Sequence, residues 1–242
     1  MANLRDLGGL PFGNSVIQPG RLLRSAAPAR FDPAARARIG ALGLAAIVDL
    51  RSTAERESAP TAWLPHALRI EPHGDGGGHV GDPAALAAQC IISTAQTRAA
   101  IHRIYAAIPV AQAASLRMFF TALATERTPL LVHCAVGKDR TGAAVAILLA
   151  ALGVPMQAIL EDYLASNQSR PEIAAAFAQD TRTAAIRAAK AEIWAPMLVA
   201  DPAYLDALFQ SLATTHGSAR AYVEDAVGSD GLDRIAAHLA SA

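Results

Sequence analysis

The sequence predicts an α/β fold whose C-terminal half is helical, and three observations carry that prediction. Short apolar runs, "LAAIVDL" (44–50), "ALRIEP" (67–72) and "PLLVH" (129–133), alternate with helix-like stretches in the first part of the chain, as in a sheet covered by helices. After Arg140 the pattern is helical almost without interruption. Apolar residues make up 52% of the chain and aromatics only 5%, much of the rest being alanine, which favours helices packed through small side chains. At 242 residues the chain suits one large domain with a substantial core.

Each element has a local reason. In "SVIQPGRLLRSA" (15–26) two apolar runs flank Gln18-Pro19-Gly20, which reads as a hairpin with a tight turn. Asp32-Pro33 supplies an N-cap and a first-turn proline for a short helix ending near Gly40 or Gly43. "LAAIVDL" follows as a buried strand closing at Asp49-Leu50-Arg51. Ser52 and Glu55 have capping-box spacing for a brief helix, and "ALRIEP" reads as another strand. The glycines of "HGDGGGHVGDP" leave the backbone too free for regular structure, so this stretch reads as a mobile loop. Asp82-Pro83 caps a long helix to about Ala107, and Pro109 begins another to about Thr125. "PLLVH" is a central strand; helices follow at about 140–152, 155–166, 171–198 with a break, 202–214, and 217–240 with a break at Gly228. No internal repeat or linker is visible.

Composition excludes several function classes. Lysine plus arginine balance aspartate plus glutamate at 21 each, so neither a disordered chain nor an electrostatic nucleic-acid binder is favoured. Two cysteines, Cys90 and Cys134, cannot make a disulfide framework, and neither has a second Cys or His at metal-finger spacing; Cys90 reads as inert core. The N-terminus has no basic region followed by an apolar core, and the longest apolar stretch, Ala143 to Val154, is too short for an integral membrane segment. These features point to a soluble cytoplasmic protein, with a signal-independent route out of the cell still compatible; nothing in the chain speaks to its oligomeric state.

The chemistry concentrates in "HCAVGKDRTG" (133–142). A strand stopping at Cys134, a loop of five residues and Arg140 opening a helix gather backbone N–H groups and a helix N-terminus around one point, an anion cradle. The same field favours the ionised form of a thiol, making Cys134 a candidate nucleophile. Arg140 can grip two phosphate oxygens with its planar fork. Ala135, Val136, Gly137, Lys138 and Thr141 complete the candidate binding loop: Gly137 lets the backbone curl, and Thr141 can donate its hydroxyl to the sulfur. A nucleotide P-loop is a poor rival, because Gly137-Lys138 is followed by Asp139 and lacks the earlier glycine at Walker spacing.

Cys, five residues, Arg, then Ser or Thr resembles the signature of cysteine-dependent phosphatases. Together with "NLRDLGG" (3–9), "VDLRS" (48–52) and "EDYLASN" (161–167), it resembles the atypical bacterial tyrosine phosphatase family over residues 3 to 167. The resemblance implies a phosphatase fold, with a central sheet flanked by helices and a helical C-terminal lid, formed by residues 1–242 as one domain with 168–200 as the candidate lid. It also implies a phosphocysteine intermediate, no metal or other cofactor, and a phosphoprotein or phosphoinositide substrate. The leaving oxygen must receive a proton, and three carboxyls compete for that role: Asp139, inside the loop as in the family signature and the first choice; Asp75 in the glycine-rich loop; and Asp49, closing a strand expected to border the site. Asp49 and Arg51 serve equally well as a salt bridge fixing loops. His133 reads as a structural partner of the loop, while Glu71, His73 and His79 read as solvated surface. Lys138 could favour a multiply phosphorylated substrate or simply face solvent. Ile173, Phe177, Ile186, Ile193, Trp194, Met197 and Leu198 fit a core-packed helix pair or an apolar lid.

Overall fold

The computed structural model describes residues 3–28, 33–61, 67–71 and 91–240; Asp75, Asp82, His73, His79, Cys90 and the glycine-rich loop lie outside them. In chain order the elements are β1 (Arg5–Asp6), β2 (Pro11–Phe12), β3 (Ser15–Val16), β4 (Leu22–Ser25), α1 (Pro33–Gly40), β5 (Ala46–Asp49), α2 (Thr53–Ser58), β6 (Leu68–Ile70), α3 (Thr94–Ala111), α4 (Ala113–Ala124), β7 (Leu130–His133), α5 (Asp139–Leu152) and α6 (Met156–Ala165). Short helical pieces follow, α7 (Arg170–Gln179), α8 (Ala184–Arg187) and α9 (Ala191–Trp194), with 3-10 turns before α7, between α7 and α8, and after α9; then α10 (Pro202–His216), α11 (Ala219–Val227) and α12 (Ser229–Leu239).

Five strands form one sheet in the order β1-β4-β7-β5-β6. β4, β7, β5 and β6 run parallel, and β1 pairs antiparallel on β4. The unbroken apolar run of β7 makes it the middle strand, because such a strand must be covered on both faces. Leu130 and Val132 join the large core beneath α3, α4 and α5, whereas Leu131 packs with Leu23, Ile39, Leu44 and Ile47 on the opposite face. Helix α5 is apolar nearly all round and buried accordingly, from Thr141 to Leu149. α10 packs on α3, and α11 and α12 close over α4 and α5.

Three expectations are corrected. The 15–26 stretch is no hairpin: β3 pairs with β2, Ile17 bridges to Ala240, and β4 leaves the turn to lie between β1 and β7. All four β4 residues are buried, so they demand two strand neighbours that an edge hairpin cannot supply. The long helix does not run unbroken from Asp82; it begins at Thr94, where the Ser93 side chain accepts from the Gln96 N–H. Pro109 does not open the next helix but lies inside α3, where its missing N–H and its ring break the i→i−4 ladder, and α3 ends two residues later at Ala111 before a 60° bend into α4. The capping box at Ser52 and Glu55 is present in both directions. No single helix among the described residues is long and apolar enough to cross a membrane.

Leu131 is fully buried at the middle of the sheet. Leu131→Ala should therefore cost about 2–5 kcal/mol, read as a lower urea midpoint at unchanged slope; a loss well under 1 kcal/mol would mean that the second face of the sheet is not packed as described.

Candidate functional site

The carboxyl ends of the parallel strands define the site, as open α/β sheets require. Register sets Ser25 of β4, His133 of β7 and Asp49 of β5 side by side at that edge, and the next residue of the central strand is the buried, free Cys134. From there the chain curls into α5 through a loop whose first three carbonyls are taken from outside, that of Lys138 accepting from Gly142 of the helix. The Ala27 N–H donates to the Ala135 carbonyl at 3.1 Å, Asn3 Nδ2 to the Val136 carbonyl at 3.1 Å, and Arg24 Nη2 to the Gly137 carbonyl at 2.8 Å. Among the described residues no acceptor takes the N–H groups of Ala135, Val136, Gly137 or Lys138. With its carbonyls pinned outward and its amides unspent, the loop can receive an anion in front of Cys134. Gly137 has φ +69°, and a Cβ there would lie 2.4 Å from the Ser25 carbonyl carbon, so only glycine lets the loop press against the end of β4.

The outer support consists of residues whose role sequence reasoning missed. Arg24 is fully buried and pairs with Asp162, which also takes Arg5 Nε at 2.6 Å. Burial works against the Asp162 carboxylate, but the charges of Arg24 and Arg5 hold its pKa below the usual range. Asn167 bonds both the carbonyl and the N–H of Ala200, at 2.9 and 2.8 Å. The motif stretches "NLRDLGG" and "EDYLASN" contain Asn3, Arg5, Asp162 and Asn167; Arg24 stands in neither, and only its charge within an apolar strand could have drawn attention.

Arg140 meets Glu55, through Nη1 at 2.6 Å and Nη2 at 2.7 Å, and Nη1 also reaches the Leu50 carbonyl at 3.2 Å. A guanidinium has five N–H groups; these bonds leave Nε–H and one Nη2–H, on a shared edge, for an oxyanion. Although burial opposes the charge of Arg140, Glu55 raises its pKa above the ordinary value; burial likewise pushes Glu55 up, and Arg140, the Ser52 N–H and Arg182 pull it below. Sequence reading recognised Glu55 only as a capping residue, since its partner lies 85 positions away.

Asp49 is chelated by Arg51, whose Nε lies 2.9 and 3.0 Å and Nη2 2.7 Å from its oxygens. Burial alone would raise the Asp49 pKa, but His133 and Arg51 lower it; a carboxyl held ionised has no proton to give. Arg51 also reaches the Ala59 carbonyl and Thr61 Oγ1, each at 2.9 Å, so the pair ties together the chain around α2. His133 is fully buried, its pKa lowered by burial against the opposing pull of Asp49, with Nδ1 3.3 Å from the Cys134 carbonyl oxygen. Asp139 faces the cleft, its Oδ1 accepting from the Tyr105 hydroxyl at 2.8 Å.

Two expectations change. Lys138 does not face solvent: it is 1% exposed, and its ammonium donates to the carbonyls of Met197 at 2.6 Å and Val199 at 3.0 Å and lies 3.1 Å from Asp139 Oδ1. An ammonium so engaged is not a spare cation for a second substrate phosphate. The Thr141 hydroxyl is buried without a hydrogen-bond partner among the described residues, so no bond to the sulfur is formed in this state.

Residues 170–198 lie over the cradle. Ile173, Ala176, Phe177, Met197 and Leu198 line a cleft of about 110 Å³ together with Ala135, Val136, Asp139 and Arg140. Phe177 stacks on Trp194 at 5.2 Å, and Arg182, bound to Asp180, comes within 3.6 Å of Glu55.

The tyrosine phosphatase family matches this chain over residues 1–241. The chain belongs to that family. It is similar to a protein of Cupriavidus necator that carries a provisional tyrosine-protein phosphatase name, 36% identical over 236 residues, covering 95% of this chain and 83% of that protein. It is also similar to the triple specificity protein phosphatase PtpB of Mycobacterium tuberculosis, 31% identical over 260 residues, covering 93% of this chain and 91% of that one. This tyrosine phosphatase family member is therefore a phosphoric monoester hydrolase.

Because the Glu55 carboxyl titrates lower folded than unfolded, its stabilisation is complete above the ordinary value of 4.5 and declines as pH falls below it. Glu55→Gln should lose about 1.5–3 kcal/mol at neutral pH, the range for a hydrogen bond to a charged group. In urea melts the gap to the unmodified chain should narrow in acid; a gap independent of pH would rule out the ionised pair.

Proposed function

We propose that the chain hydrolyses phosphoproteins, phosphotyrosine foremost, by two displacements at Cys134. The observation that carries this reading is the inverted loop: three carbonyls bound from outside, with free amides around the space before the sulfur. In the first displacement the Cys134 thiolate attacks phosphorus; the S–P bond forms as the P–O ester bond breaks, and Asp139 gives its proton to the departing oxygen. The loop amides of Ala135, Val136, Gly137 and Lys138 and the open edge of Arg140 hold the equatorial oxygens as charge builds on them. In the second displacement water attacks phosphorus, Asp139 takes its proton, and the sulfur leaves as thiolate. Asp49 and Arg51 brace the site without touching the reacting atoms, and Thr141 has an unspent hydroxyl for the departing sulfur.

The apolar wall of Ile173, Phe177, Met197 and Leu198 supports an aromatic ester, whose ring would be buried against it. The triple specificity in the mycobacterial relative's name is compatible with a wider range. A preference for phosphoinositides loses its sequence argument with the engagement of Lys138 by Met197 and Val199. Residues 168–200 act as the lid in this reading, and admitting a protein chain requires them to move.

Cys134→Ser should reduce turnover of para-nitrophenyl phosphate to background while inorganic phosphate still binds, because a hydroxyl at this place is far less acidic than a thiol; substantial turnover would end the phosphocysteine mechanism. Asp139→Asn and Asp49→Asn, compared on aryl phosphates of graded leaving-group basicity, separate the acid from the brace. Asp139→Asn should slow poor leaving groups by about tenfold or more beyond good ones, within the usual range for acid catalysis. Asp49→Asn should slow all alike, and the reverse pattern would transfer the role to Asp49.

A further inference from the structure

Two buried tyrosines stand behind Asp139. Tyr105 on α3 is fully buried, and its hydroxyl donates to Asp139 Oδ1 at 2.8 Å; the Tyr163 hydroxyl of α6, also buried, lies 2.7 Å from that of Tyr105. The phenol rings meet edge to face at 6.2 Å, and Tyr105 also packs on Tyr204 at 5.4 Å. A buried phenol needs a hydrogen-bond partner, and a core tyrosine could have found one in a helix carbonyl. Here both hydroxyls form a chain that ends on Asp139; the other two carboxyls lining the cleft, Glu55 and Asp180, are instead paired with Arg140 and Arg182. Among the described residues nothing bonds to Asp139 Oδ2, while Oδ1 is met by Tyr105 and by the Lys138 ammonium at 3.1 Å.

We propose that Tyr105, backed by Tyr163, is the positioning residue for proton transfer by Asp139. Holding the Tyr105 hydrogen bond and facing the Lys138 ammonium, Oδ1 acts as the acceptor end of the carboxyl, so the transferable proton resides on Oδ2, the oxygen without a partner among the described residues. As that proton passes to the ester oxygen, negative charge develops on the carboxyl, and the Tyr105 bond strengthens from neutral to charge-assisted. An interaction that is stronger in the transition state than before it lowers the barrier, whereas one of constant strength does not. The phenol keeps its own proton throughout: burial, reinforced by the Asp139 charge, pushes the Tyr105 pKa well above the ordinary value. Tyr163 satisfies the second valence of the Tyr105 oxygen, which turns its hydrogen toward Asp139 and not back into the core.

This inference rests on Asp139 as the acid, and the experiment keeps the two apart. kcat/KM is measured for Tyr105→Phe, Tyr163→Phe, Asp139→Asn and the double variant Tyr105→Phe with Asp139→Asn, on a phosphotyrosine peptide and on para-nitrophenyl phosphate. Tyr105→Phe keeps the ring packing and should lower kcat/KM about tenfold on the peptide, whose leaving group needs the proton, equivalent to about 1.4 kcal/mol. On para-nitrophenyl phosphate it should lower it by less than about threefold. Tyr163→Phe should show the same bias at smaller size, and it carries the test alone if Tyr105→Phe does not fold. The double variant should discriminate between the substrates no more than Asp139→Asn does. Equal losses on both substrates, no loss, or a further selective loss in the double variant would overturn the positioning role while a selective Asp139→Asn leaves the acid in place. If Asp139→Asn itself shows no selectivity, the acid assignment falls and takes the Tyr105 inference with it.

Discussion

The loop after Cys134 is held inside out by a buried arginine and two further donors. A loop in front of a helix has as many carbonyls as amides, and left alone it would present both to a ligand. Arg24, Asn3 and the Ala27 amide take the carbonyls of Gly137, Val136 and Ala135 from behind, and the amides of Ala135 to Lys138 are left without an acceptor among the described residues. Burying Arg24 is costly unless its charge is matched and its donors are used. Asp162 supplies the match, and Arg5 shares it; burial and the neighbouring Arg24 charge lower the Arg5 pKa to about 10 even against the pull of Asp162. The N-terminal strand, β4 and α6 are thereby joined at the rear of the loop, and the positions of those elements follow from the need to complete this pairing.

The front of the loop obeys the same economy. Arg140 is a cation at the N-terminus of α5, where the helix dipole disfavours it, and Glu55 offsets that cost while fixing the orientation of the fork. Glu55 can do so because the capping box starts α2 at Ser52, directly after the brace of Asp49 and Arg51. Lys138, between the front and the overlying segment, joins the loop to the carbonyls of Met197 and Val199. The helical pieces over residues 170–198 are thus connected to the cradle by hydrogen bonds as well as by the apolar wall, and Asn167 fastens their far end at Ala200.

Much of this was legible from local rules. The strand and loop around Cys134, the capping box, the helix after Asp139 and the break at Gly228 depend on residues within a few positions of one another, and local chemistry decides them. The failures share a cause. Gln18-Pro19-Gly20 does make a turn, but whether the runs on either side pair with each other depends on what else competes for β4, and β7, more than a hundred residues away, competes better. Pro109 fits the first turn of a helix, where its N–H would have no partner, yet it lies two residues before the end of α3, where it interrupts the ladder. Lys138 looked free because a lysine in a polar loop usually is; the carbonyls that bury it come from 59 and 61 residues downstream.

The sequence by itself determined the chemistry available: a cysteine and an arginine at the ends of a loop between strand and helix, a glycine where the backbone must turn with positive φ, and a carboxyl inside the loop. These follow from residue type and spacing, and they sufficed to place the chain among cysteine-dependent phosphatases. Tertiary structure alone decided which charges are free. Asp49 and Asp139 are equivalent carboxyls in the sequence; folding gives one an arginine chelate and the other a pair of tyrosines and a view of the cleft. Arg140 and Lys138 are both cations of the same loop, yet one keeps an open edge and the other is spent on backbone carbonyls. The physical reason is common to all four. Function depends on the hydrogen-bonding capacity a group has left after folding, and its partners come from elements far apart in the chain.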